Sequence, residues 1–348
     1  MEAVELLKEM ITIPSFSGEE NQVADLMVEM LALHGYVAER KGNNVWARSR
    51  NFDSTKPTIL MDAHLDTVRP NGKWNTDPFT PVVMGGKLYG LGSNDTGGSV
   101  VSMLAAFLQL AATGQAYNLV WLASAEEENT GKGGIQSVVG ELGRIDLALI
   151  GEPTGMQAAI AEKGLMVLDC VALGKSGHAA RGEGINAIYE ALPDIEWFRT
   201  YQFPKVSDLL GEVKMTVTGI SAGTLHNVVP AECKFMVDIR VNEYYSNQEI
   251  FETIRKNVKC EVCPRSFSLN SSSIPADHPI VRRCRELGLQ TYGSPTTSNQ
   301  AVIPYTSLKI GPGDSARSHT ANEYIALDEI EEGIRIFVEL LDGFQFKI

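Results

Sequence analysis

The chain has 348 residues, of which 44% are hydrophobic and 21% charged, the composition of a packed soluble protein and not of a disordered one. Lys and Arg number 30 against 43 Asp and Glu, a net charge of −13, which argues against a nucleic-acid partner because phosphate binding needs clustered cations. No apolar run approaches the ~20 residues that span a bilayer.

At roughly 150 residues per domain, this length predicts two domains. Acids at Glu2, Glu5 and Glu9 speak against a secretory leader. Five cysteines, Cys170, Cys233, Cys260, Cys263 and Cys284, form an odd count that fits a reducing cytosol better than a disulfide framework. The lone C-x-x-C at Cys260 and Cys263 has no second pair and no nearby His, so it reads as structural thiols.

In chain order, Val4 to Ile13 reads as a helix stopped by Pro14. Ser17-Gly18-Glu19-Glu20 has the spacing of a capping box, ahead of a helix that runs to His34 with Gly35 at its end. Thr58 to Ala63 is a buried-strand run, Gly97 to Thr113 a helix, and Asn118 to Ser124 and Asp146 to Ile150 are further strands. This alternation predicts an open, mostly parallel sheet sandwiched by helices.

The pattern then changes. Leu165 to Leu173 (strand), Gly184 to Tyr201 (helix), Val213 to Gly219 and Cys233 to Arg240 (strands) and Ser246 to Val258 (helix) follow in β-α-β-β-α order, a small two-layer α+β unit. Asn270-Ser271-Ser272-Ser273 is a polar, hinge-like stretch. Ala276 to Leu287, Thr306 to Ile310 and Leu327 to Leu341 then return to the first sheet. The expected organisation is a catalytic α/β domain over 1–164 and 273–348, interrupted by an inserted lid over 165–272.

Candidate ligands recur just past strand ends, where an open sheet gathers its ligand. His64 and Asp66 follow the first buried strand, and Asp95 follows the turn Gly90–Asn94. Glu126-Glu127-Glu128 follows the second strand, Glu152 the third, and His319 the strand at 306–310. His and carboxylate donors suit Zn²⁺ or a similar divalent ion. A shared Asp plus two further carboxylates gives −3 against the +4 of two ions, leaving room for a bound hydroxide. Two such ions, ~3.5–4 Å apart, activate water and clamp a tetrahedral intermediate, and a spare Glu beside them serves as general base. Singly, each residue has a plainer explanation: the Glu run a solvated face, His64 a core histidine, Asp95 a helix N-cap, Glu152 a turn residue. Their joint occurrence, each after a strand, favours a metal site, with Asp66 orienting a ligating His64.

These motifs resemble the family of dinuclear zinc amidohydrolases that includes acetylornithine deacetylase, succinyl-diaminopimelate desuccinylase and aminoacylase, over essentially the whole chain. The resemblance implies a zinc-exopeptidase-like domain with a ferredoxin-like lid that makes a homodimer. It implies that His64 and Glu152 bind one ion, Glu128 and His319 the other, and that Asp95 bridges both. Glu127 becomes the general base. His178, in Gly177-His178-Ala179, is expected to stabilise the oxyanion across the dimer, and Asn227 and Arg240 to grip the substrate carboxylate. The cofactors are two Zn²⁺, with Co²⁺ or Mn²⁺ compatible with the same ligands. The implied reaction is hydrolysis of an N-acyl amino acid, with N-acetylornithine, N-acetylcitrulline or their N-succinyl counterparts in arginine biosynthesis as the leading substrates. A dipeptidase, aminopeptidase or succinyl-diaminopimelate desuccinylase is the alternative. Arg317 either meets a succinyl carboxylate or is a surface or hinge arginine. Two departures bear on substrate preference: Asp95 is followed by Thr96-Gly97-Gly98 instead of the frequent Lys-Gly, and His64-Leu-Asp-Thr-Val carries Arg69 before Pro70.

A G-x-S-x-G match at Gly219–Gly223 lacks the following helix that a nucleophile elbow needs and reads as chance. His34 and His278 read as structural or surface residues.

Overall fold

The computed structural model describes residues 2–346. These residues form two compact units. The first comprises the chain up to Ile160, Ser273–Tyr292 and everything from Ser298 on; the second comprises Ala161–Ser272 and Gly293–Thr297.

The first unit is built on a mixed, mostly parallel sheet. Its strands run in the order Glu39–Lys41, Asn44–Arg48, Asn118–Ser124, Thr58–His64, Leu147–Ile150, Ser307–Lys309 and Ala158–Glu162. The central pairings, Thr58–His64 with both Asn118–Ser124 and Leu147–Ile150, and Ser307–Lys309 with Leu147–Ile150, are parallel. Every residue of Thr58–His64 and of Asn118–Ser124 is buried. The reason is that both faces of the sheet are covered, which is why these strands read as unbroken apolar runs. Ile59, Met61, Leu119 and Trp121 pack with the helices Ala3–Ile11, Asn21–Leu33, Gly98–Leu110 and Leu327–Leu341. Leu60, Val120 and Leu122 pack on the other side with Ile135, Val138 and Leu142. A small antiparallel sheet of Val82–Met84, Lys87–Tyr89 and Tyr324–Ala326 lies beside this core.

The helix Gly98–Leu110 starts in a crowded place. A Cβ on Gly97 would lie 2.5 Å from the Gly92 carbonyl oxygen, and one on Gly98 would meet the Ile325 side chain. The Gly-Gly pair after Thr96 thus lets this helix start close to the turn that presents Asp95.

The second unit has four antiparallel strands in the order Lys214–Ala222, Glu232–Val241, Gly164–Leu173, Glu261–Pro264, with the helices Ala187–Thr200 and Asn247–Asn257. In chain order this is second, third, first, fourth, the split β-α-β arrangement of ferredoxin-like folds. Burial alternates along Gly164–Leu173, so Met166, Leu168, Cys170 and Ala172 join Phe198, Phe235, Ile239, Ile250 and Ile254 in a core of its own. The helix Asn247–Asn257 is closed by a capping box of Ser246 and Glu249. The fourth strand went unread in the sequence. All five cysteines are free thiols. Among the described residues no helix is long and apolar enough to cross a membrane.

Candidate metal centre

The parallel register brings strand ends level. His64 pairs with Ser124 and Asp62 with Ile150, so the residues that follow each strand emerge at one edge. Asp95 sits between two imidazoles: its Oδ1 is 3.2 Å from His64 Nε2 and its Oδ2 is 3.6 Å from His319 Nε2. His319 Nε2 is also 2.9 Å from Glu128 Oε2. One ligand atom each from His64, Glu127 and Glu152 lie within 4.8 Å of one another, and so do atoms of His64, Asp95 and Glu128. Six residues expected from scattered positions are therefore brought into one cluster.

The supporting contacts differ from the sequence reading in two places. First, Asp66 was expected to orient His64, and its main chain meets the ring as well as its side chain. The shorter contact of His64 Nδ1, 2.8 Å, is to the main-chain carbonyl of Asp66, and the carboxylate Oδ1 is 3.5 Å away. The carboxylate also accepts the backbone N–H groups of Glu127 and Glu128, both at 3.0 Å, and the Ser17 hydroxyl at 2.7 Å. It thereby fixes the turn that presents the two glutamates. Second, Ser17–Glu20 is not a capping box. The helix Asn21–Leu33 has no side-chain cap; buried Glu20 accepts the N–H of Gly18 at 2.7 Å, that of Glu126 at 3.1 Å and the Asn43 amide at 2.8 Å. Tertiary partners outcompeted the local cap, and the segment braces the Glu126 turn. Glu126 itself has φ 52° and turns away, its carboxylate accepting Gly133 N–H at 3.0 Å. Another brace, Glu323, was absent from the sequence reading.

Electrostatically the cluster holds more carboxylates than cations to balance them. Burial drives the Glu127 carboxyl up to about 8, with the His64 imidazole opposing and Glu128, Asp66 and Asp95 reinforcing the rise. Burial likewise raises Glu152 well above its ordinary range, with Glu127 beside it, against the pull of His64 and Lys309. His64 is raised well above 6.5: burial opposes its charged form, but hydrogen bonds to Asp66 and Asp95 and the Glu127 charge prevail. The contact to Glu128 lifts His319 to about 9. His and carboxylate donors in excess of cations are the donor set of a Zn²⁺-type site, and the two faces of Asp95, one toward each imidazole, fit a bridging ligand.

These shifts share one sign. Between an ordinary Glu value of 4.5 and about 8, and between an ordinary His value of 6.5 and about 9, the folded chain holds protons that the unfolded chain has released. That stabilisation is present at low pH and is lost as pH rises through this window. Metal-stripped protein is therefore expected to lose thermal stability as pH rises from about 5 to about 9. Added divalent ion should raise Tm most at the alkaline end, because ligands must deprotonate to bind. Calorimetry with and without metal checks this; a flat or rising Tm in the stripped protein would contradict it.

In the second unit, Gly177–His178 and Val228–Val229 form a two-stranded ribbon, and Ala179 N–H donates to the Asn227 carbonyl at 3.1 Å. The ribbon thus carries both His178 and Asn227, each exposed. Arg240, half-buried on the strand Glu232–Val241, makes a bidentate pair with Asp238 at 2.8 and 3.0 Å. In the first unit, Arg317 is bound bidentately by Glu329 at 2.6 and 3.0 Å and lies 4.5 Å over the Tyr324 ring. Glu329 also accepts Ala326 N–H at 2.8 Å, at the start of the helix Leu327–Leu341. The guanidinium is thus paired within the first unit, not free as a succinyl carboxylate would need. His278 caps its helix by accepting Ile280 N–H, a structural task.

Residues 60–343 match the peptidase family M20/M25/M40. Over 377 aligned positions the chain is 26% identical to acetylornithine deacetylase of Proteus mirabilis, covering 98% of this chain and 96% of that protein. It is 24% identical to succinyl-diaminopimelate desuccinylase of Colwellia psychrerythraea, covering 98% and 95%. Among solved structures it shares the fold of a dinuclear metal-binding peptidase of the M20 family from Bacillus subtilis, at a TM-score of 0.75 and 15% identity, over 98% of each chain.

Proposed function

We propose the following reading for this chain, which belongs to the peptidase family M20/M25/M40: it hydrolyses the amide bond of an N-acyl amino acid, with N-acetylornithine, N-acetylcitrulline or an N-succinyl counterpart as substrate. That it is a metal-dependent hydrolase follows from the family; the acyl amino acid is the reading advanced here. The metal chemistry rests on Asp95, which turns one oxygen toward His64 and the other toward His319; the acyl amino acid rests on the likeness to acetylornithine deacetylase and succinyl-diaminopimelate desuccinylase.

In this reading His64, Asp95 and Glu152 hold one divalent ion and Asp95, Glu128 and His319 the other, with Zn²⁺ the favoured metal. When bound, the ions supply an activated water and polarise the amide carbonyl. Glu127 accepts the water's proton and returns it to the departing amine nitrogen as the C–N bond breaks. Its place beside the ligands, with Oε2 4.0 Å from His64 Nε2, suits both transfers. His178 is assigned to the developing oxyanion, and Arg240 and Asn227 to the α-carboxylate, as the resemblance implies; Arg317 is left out because Glu329 occupies its guanidinium. A homodimer formed through the lid, a cytosolic setting and a place in arginine biosynthesis belong to the same proposal. The second reading is a dipeptidase or aminopeptidase, favoured by the peptidase description of the Bacillus subtilis protein of like fold.

The test is a hydrolysis panel on metal-loaded enzyme: N-acetyl- and N-succinyl-ornithine, the matching citrullines, N-succinyl-diaminopimelate and several dipeptides. Chelator-sensitive preference for one acyl amino acid is the expected result. Faster turnover of dipeptides would transfer the assignment to the peptidase reading.

A further inference from the structure

Glu323 lies in the first unit, 2% exposed, four residues beyond His319. Its carboxylate accepts three main-chain N–H groups of the turn that presents Asp95: Oε2 takes Gly92 at 3.1 Å, and Oε1 takes Asn94 at 2.8 Å and Asp95 at 2.9 Å. Its own carbonyl accepts Gly90 N–H at 3.1 Å. Of the six N–H groups from Gly90 to Asp95, the other two, Leu91 and Ser93, donate to Pro78 and Gly90. Four of the six therefore end on one residue from a distant stretch of chain. The Asn94 side chain completes the clamp, accepting Asp314 N–H at 2.9 Å and donating to the Asp314 carbonyl at 3.1 Å.

A buried carboxylate that accepts backbone N–H groups holds a turn rigidly, since breaking the set would leave several buried donors unpaired. The two candidate ions do not depend on it equally. His64 is anchored separately, through Nδ1 to the Asp66 carbonyl, and the chain at Glu152 is pinned by Gly151 N–H donating to Asp62 at 2.7 Å. Asp95 N–H instead donates to Glu323, which follows His319 by only four residues.

We propose that Glu323 is a positioning residue that sets the bridging carboxylate against His319 and so governs how tightly the ion at Glu128 and His319 is held. This rests on the two-ion reading above. It does not make Glu323 a ligand or a catalytic group. A Gln at 323 keeps one carbonyl oxygen for Asn94 and Asp95 but turns an NH₂ toward Gly92 N–H, a donor against a donor.

The experiment titrates metal-stripped wild type, Glu323→Gln and Glu323→Asp with Co²⁺, reading metal count, visible absorption, and kcat and KM at fixed free Co²⁺. Wild type is expected to bind two ions. In Glu323→Gln the second ion should bind about 10–100-fold more weakly, the range found when an outer partner of a metal ligand is removed. The first should be weakened less. At limiting metal kcat falls with the lost occupancy, excess Co²⁺ restores it, and KM stays near wild type. Glu323→Asp keeps the charge with a shorter reach and should fall between the two; if Glu323→Gln does not fold, the Asp variant carries the same expectation. A folded variant that binds both ions with wild-type affinity and spectrum, or that weakens both ions equally, overturns the proposal. Failure of wild type to bind two ions would instead overturn the two-ion reading.

Discussion

Glu127→Gln is expected to lower kcat by about 10²–10⁴-fold, the contribution of a positioned general acid–base group, while both ions remain bound. Glu127 belongs to the cluster and is held for proton transfer: Asp66 fixes its backbone, and its Oε2 stands 4.0 Å from His64 Nε2. Gln matches it in size and hydrogen-bonding reach but cannot accept and return a proton. KM should therefore change little, since the loss falls on the transition state. Metal content, KM and kcat on the preferred panel substrate check this together. A kcat within tenfold of wild type would remove Glu127 from the role of base, and loss of an ion would make it a ligand.

The second large effect is expected at Asp95. Asp95→Ala removes the only carboxylate whose two oxygens face both candidate histidines among the described residues. Each ion should then bind at least about 10²-fold more weakly, more than the loss of an outer partner costs, and activity should fall to that of chelated enzyme. Asp95 is also a buried anion that burial disfavours and that His64, Ser318 and His319 stabilise. Its removal should accordingly lower the proton affinity of both histidines. Metal counting after gel filtration, beside kcat, reads the outcome. Two ions retained at wild-type affinity would mean that Asp95 does not bridge.

Most of the residues that cluster were legible because they follow an apolar run that could only be a buried strand, whereas Asp95 follows a turn. Thr58–His64 and Asn118–Ser124 are buried along their whole length, so His64, Asp66 and the Glu126–Glu128 run had to emerge at an edge of the sheet. The second unit was legible through the alternating burial of Gly164–Leu173. Its last strand, Glu261–Pro264, escaped because four residues ending in proline carry too little periodicity. The braces were illegible for a different reason. Glu20, Asp66 and Glu323 act on backbone N–H groups, which every residue but proline offers, and Glu323 reaches partners 228 to 231 positions away. No spacing rule marks such a contact. Ser17–Glu20 misled because the S-x-x-E spacing was satisfied while its side chains were drawn to Asp66 and Glu126 instead. Arg317 was ambiguous until Glu329, twelve residues on, was seen to hold it.

The most direct measurement is anomalous X-ray scattering at the zinc edge from crystals of the metal-loaded protein. Two peaks per chain are expected, ~3.5–4 Å apart, on either side of the Asp95 carboxylate, one beside His64 and Glu152 and the other beside Glu128 and His319. A fully active protein with no peak there, or with a single peak that does not touch Asp95, would contradict the two-ion reading.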